Sequence, residues 1–99
     1  MRMIKNYVDH MIEELEGAKD YAEKYVECKA NGNMAHANKY KEMAQQELNH
    51  AMNIHGFATE AVDKLSKVYT PPVDMQEKWD KAHKEYVEEA AHIKMMLTL

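Results

Sequence analysis

Apolar side chains recur three and four positions apart through most of the chain. In the first third, Ile4, Tyr7, Val8, Met11, Leu15, Ala18, Tyr21, Ala22 and Tyr25 fall on one side of a 3.6-residue helix. This spacing predicts a helix over residues 2–30. Asn31-Gly32-Asn33 ends it, because Gly32 can take a positive φ and Asn33 is placed to cap whatever follows. A second stripe of Tyr40, Met43, Ala44, Ala51, Ile54, Ala58, Ala61, Leu65 and Val68 predicts a helix over 34–69. Thr70-Pro71-Pro72 stops it, since proline cannot continue the hydrogen-bond ladder and disfavours helix in the residue before it. Asp74 and Glu77 then resemble a capping box that opens a third helix over 74–97, carrying Trp79, Ala82, Tyr86, Ala90, Ile93 and Leu97. No stretch alternates with period two, and both connections are short. The expected fold is all-α: a single domain over 1–99 with three helices in an up-down-up antiparallel bundle.

Several polar residues interrupt these stripes while keeping their phase. Glu14 lies between Met11 and Ala18, and Glu47 and His50 continue the row of Tyr40 and Met43. Glu89 and His92 lie beside Tyr86, Ile93 and Met96. A carboxylate buried without a partner takes up a proton rather than stay charged, so several facing one interior call for a shared counter-charge such as a divalent metal. Depth supports a common level. Counted from the turn at Gly32, Glu14 is 18 residues back and His50 is 18 forward; counted from Pro71, His50 and His92 are each 21 away. At about 1.5 Å per residue these positions agree to within roughly one helical turn. The five side chains are expected to meet in one slab of the bundle. Glu47-x-x-His50 and Glu89-x-x-His92 also put a carboxylate and an imidazole on one helix face, a spacing suited to ligating one metal and bridging to a second. Asp80-x-x-His83 is a near match read as surface.

Composition narrows the partners. A net charge of −4 with no cluster of Lys or Arg disfavours nucleic acid and anionic membranes. No run of about 20 apolar residues could span a bilayer, and the first fifteen residues hold no unbroken apolar stretch of the signal-peptide kind. One cysteine, Cys28, excludes an internal disulfide and suits a reducing compartment, so a cytoplasmic location is expected. The nine methionines read as adaptable core filler.

Glu13-Glu14-Leu15-Glu16, with Ala18, Asp20 and Tyr21 following, and then Glu47-x-x-His50-Ala51, resembles the ferritin-like superfamily of bacterioferritin and rubrerythrin. The pattern is closest to the short chains of encapsulated ferritin. The resemblance covers about residues 10–55. It implies a carboxylate-histidine di-metal site of iron, two per site, with manganese or zinc as alternatives, and ferroxidase-type oxidoreductase chemistry. It makes Glu14 a terminal ligand, Glu47 the bridging carboxylate and His50 the paired imidazole, with Glu89 and His92 matching the family's second Glu-x-x-His. Tyr21 takes a position behind the ligands, from which it could hydrogen-bond a carboxylate. The family's third helix and its Glu have no counterpart here. Such a site uses four carboxylates and two histidines, so the fourth carboxylate is either Glu85, which is equally well read as a solvated surface residue, or comes from a second copy. The chain thus reads as half of a ferritin-like bundle, or a truncated one, completed as a homodimer or larger homo-oligomer.

Other residues carry weaker signals. His10, one turn before Glu14, reads as a helix-end histidine or an outer partner of that carboxylate. His36, His55 and His83 read as surface. Gly17, mid-helix and beside Glu14, costs about 1 kcal/mol against Ala and so implies a close approach near the site. The competing reading is a non-catalytic helical interaction or assembly protein in which the same polar residues fix register, with a structural metal or none.

Overall fold

The computed structural model describes residues 2–68 and 70–99. They form three helices, α1 (Arg2–Ala30), α2 (Met34–Val68) and α3 (Val73–Met96), with no strand among the described residues. The predicted last residue of the second helix, Tyr69, lies outside them. The turn after α1 has both bonds of a Schellman cap: Asn33 N–H donates to the Cys28 carbonyl at 2.8 Å and Gly32 N–H to that of Lys29 at 3.1 Å. Gly32 makes this possible with a φ of 77°. Asn33 then caps α2, its Oδ1 accepting from His36 N–H at 3.1 Å.

The start of α3 differs from expectation. The helix opens at Val73, and the capping residue is Pro72, which makes no side-chain cap bond. Pro72 instead presents its carbonyl to Gln76 N–H at 3.0 Å. Its ring fixes φ near the helical value, so the turn forms one residue early and the Asp74–Glu77 capping box does not. Asp74 acts in the first turn only through the helix dipole.

The molecule is a rod of 55 × 17 × 16 Å in which α1 packs closely along α2 and more sparsely against α3. Tyr7 meets Phe57, Gly17 meets Glu47 and Tyr21 stacks on Tyr40, so residue numbers fall on α2 as they rise on α1. Lys19 reaches Glu89, and Lys29 Nζ donates to the Leu99 carbonyl, so numbers rise together on α1 and α3. Among the described residues, eight of the seventeen in the core are alanines, which lets the helices approach closely but removes little apolar surface per residue. Its largest fully buried side chains are Met11 on α1 and Ile93 on α3. On α2 the buried row is Ala37, Ala44, Leu48, Ala51, Ile54, Ala58 and Val62. That row is centred nearer Leu48 than Met43, which is 37% exposed. No helix among the described residues is long and apolar enough to cross a membrane.

Candidate metal centre

The shift of the α2 core row decides where the polar residues lie. No polar or charged residue is buried among those described, which corrects the expectation of carboxylates sunk in the interior. Glu14 and Glu47 sit instead at one edge of the α1–α2 seam, their side chains 19% and 29% exposed, with His50 outside them at 56%. A carboxylate with this much access to water keeps part of its hydration, so it can stay charged more cheaply than a fully buried one.

These three converge. One ligand atom from each of Glu14, Glu47 and His50 lies within 4.8 Å of the others. His50 Nδ1 is 3.6 Å from Glu14 Oε2 and 3.7 Å from Glu47 Oε1, beyond hydrogen-bond length but within reach of a common ion. Ligand atoms about 2.0–2.2 Å from a metal lie roughly 3 Å from one another. The observed spacings therefore need to shorten by well under an ångström. Two hard carboxylate oxygens and one imidazole suit iron, manganese or zinc. Gly17 makes room: a Cβ built there would lie 3.0 Å from Glu47 Oε2. The close approach implied by a mid-helix glycine is thus with a carboxylate of this cluster.

The two carboxylates perturb one another. A side-chain hydrogen bond between them, strengthened by partial burial and by the Glu14 charge, pushes Glu47 above the usual carboxylate range; His50 opposes this. The same bond holds Glu14 below that range, with burial opposing and His10 and His50 adding to it. The first proton taken up by the pair therefore belongs to Glu47, with Glu14 accepting from it. Glu14 also has a partner behind it, His10 Nε2, 3.1 Å from Oε1. That contact occupies one carboxylate oxygen and leaves Oε2 facing His50.

The other predicted ligands lie elsewhere. Glu89 Oε1 is 3.8 Å from Lys19 Nζ and 3.8 Å from His92 Nδ1, and it has no hydrogen-bond partner among the described residues. It lines a cleft between α1 and α3 with Ile12, Leu15, Lys19 and Glu85. Glu85 is exposed and lies 4.0 Å from Lys81. Lys19 comes five residues after Glu14, about 140° around the helix at 3.6 residues per turn. Glu14, Glu47 and His50 share one level, but α3 lies against the other side of α1, where Glu89 meets Lys19. Tyr21 is half-buried and stacks on Tyr40, ring centroids 6.2 Å apart, with no hydrogen bond to Glu14 or Glu47 among the described residues. His36 is exposed, as read.

His55 and His83, read as surface, are paired. His55 is half-buried, and its Nε2 lies 2.8 Å from His83 Nδ1. The signal was present in the sequence: His55 stands four residues after Ala51 and three before Ala58, in phase with the α2 core.

Neither family models, nor curated proteins, nor solved structures match this chain. What its fold and cluster define is a class: an all-helical chain with two carboxylates and one imidazole gathered at the uncovered edge of a helix pair.

Proposed function

We propose that this chain is a ferritin-like metal-binding protein of the cytoplasm, an up-down-up bundle that works as a pair of copies sharing a di-metal site. The observation that carries the reading is the convergence of Glu14, Glu47 and His50 at an edge that α3 leaves open. One chain offers two carboxylates and one imidazole there, and a twofold pair doubles this to four and two. That is the complement the family resemblance calls for, and it is reached without Glu85, Glu89 or His92. Exposed apolar residues flank the cluster in the same helical phase: Met3 on α1 at 56%, Met43 and Phe57 on α2 at 37% and 55%.

Within this reading Glu14 and Glu47 hold the cation, His50 completes the inner set, and His10 orients Glu14 from behind. A metal competes with protons for these carboxylates, and Glu47 is held above the usual carboxylate range, so affinity rises with pH. Bound iron supplies one-electron chemistry, with oxygen or peroxide as acceptor. Zinc or manganese in the same ligands would serve a structural role. The second reading, a helical assembly protein with no catalysis, is favoured by the pairing of Glu14 with Glu47, which gives both carboxyl groups a partner without a metal.

One experiment separates the two. Purified protein is given Fe²⁺ in air, near-ultraviolet absorbance is followed, and bound metal is counted by elemental analysis, with Glu47→Ala in parallel. The expected result is one iron per chain and oxidation well above the buffer rate, both lost in the variant. Oxidation at the buffer rate with metal still bound leaves a structural site, and no metal at all leaves the assembly reading.

A further inference from the structure

His55 on α2 and His83 on α3 meet end to end. Their ring centroids are 5.0 Å apart and the facing nitrogens 2.8 Å, so the difference is taken up by the two ring radii. This arrangement suits a proton rather than a metal. An ion at about 2.0–2.1 Å from each nitrogen would force head-on imidazoles to roughly 4 Å. The pair is also held in an aromatic stack: His55 lies on Tyr86 with centroids 4.1 Å apart and planes within 6°, and on Trp79 at 5.9 Å and 21°. These contacts are a principal bridge between α2 and α3, because α3 buries only Ala82, Ala90 and Ile93.

We propose that His55 and His83 form a proton-operated latch that holds the first half of α3 against α2 at neutral pH and releases it in mild acid. One N–H between the facing nitrogens closes the latch, whether the pair is neutral or carries a single charge. A second proton puts hydrogens on both nitrogens and brings two like charges to hydrogen-bond distance. That state cannot keep the contact. The titratable groups against His55 are His83 and Tyr86, both from α3; no carboxylate, lysine or arginine of α1, α2 or α3 forms an ion pair with either imidazole among the described residues. No ion pair among the described residues therefore offsets the second charge. Burial, and then the charge of His83, keep His55 below the ordinary histidine range, while burial keeps Tyr86 neutral throughout.

The sign follows from linkage. The unfolded or released chain binds the proton more readily, so the latch is at full strength above about pH 6.5 and weakens as pH falls through the lower folded value. Released, α3 would expose Trp79, its stacking partner and the single tryptophan of the chain. This inference stands apart from the metal cluster, whose residues lie on the other edge of α2.

The test is acrylamide quenching of Trp79 fluorescence between pH 8 and pH 5, with far-UV circular dichroism recorded alongside. Quenching should rise at least roughly twofold with a midpoint below pH 6.5, reversibly and with helix content kept. His83→Gln and His55→Gln should abolish the step, because an amide can pair without titrating. His83 is exposed, so its replacement leaves the core intact. Glu47→Gln should keep the step, which separates the latch from titration of the carboxylate pair. Flat quenching in the parent protein, a fall in intensity without a change in acrylamide access, or a step that survives in both histidine variants would each overturn the proposal.

Discussion

Gly17 shows how one residue can serve folding and chemistry in opposite senses. In the middle of α1 it costs about 1 kcal/mol of helix propensity relative to alanine. The missing Cβ leaves space that the Glu47 carboxylate fills at 3.0 Å. The crowding atom is the far end of a flexible, partly exposed side chain, which can swing toward water. Gly17→Ala should therefore stabilise the metal-free protein, by up to about 1 kcal/mol in urea unfolding. It should also weaken metal binding, because the carboxylate is displaced from His50. Isothermal titration with Co²⁺ or Zn²⁺ reads the second effect. Equal affinity in parent and variant would mean that Glu47 does not ligate from the position seen here.

Among the elements, α3 is the least secured. Along its length the buried side chains are two alanines and one isoleucine, and its N-terminus has no side-chain cap. Ile93 is the one large side chain of α3 that is fully buried. Ile93→Ala should cost about 2–5 kcal/mol, whereas Val87→Ala, at a side chain 51% exposed, should stay within about 0.5 kcal/mol. Chemical denaturation checks both, and amide exchange should show α3 opening ahead of α1 and α2 in the Ile93 variant. If the two substitutions cost the same, α3 is anchored by something other than this contact. Long α1 and α2, by contrast, share a continuous alanine-lined seam and a complete turn with both a Schellman bond pair and an asparagine cap.

At the scale of the molecule, a rod 16–17 Å across has little interior. Small alanine-rich cores bury limited apolar area, and association would bury more. The edge bearing Glu14 and Glu47 also bears Phe57, 55% exposed and in contact with Tyr7. A charge placed there should oppose association without disturbing the helices, since the side chain already faces solvent. Phe57→Asp is expected to shift sedimentation from dimer or larger to monomer, with circular dichroism unchanged. A parent protein that sediments as a monomer with metal bound would remove the shared-site form of the proposal.

The sequence by itself determined the local structure. Three apolar stripes placed three helices, and Gly32, Asn33 and the Pro71-Pro72 pair marked where they break, because these are properties of a few neighbouring residues. Depth along the helices was legible too, since rise per residue is fixed, and it brought Glu14 level with Glu47 and His50. The azimuth was not. Whether a residue near the stripe edge faces the core or the seam depends on a fraction of a turn, and on which side of α1 the third helix docks. Glu47 looked like core and lies at an edge; Glu89 looked like part of one site and faces Lys19 on the other side of α1. The His55–His83 pair depended on the same choice, for only docking of α3 against α2 brings residues 28 apart to hydrogen-bond distance. Periodicity fixes what each helix presents; packing decides to whom.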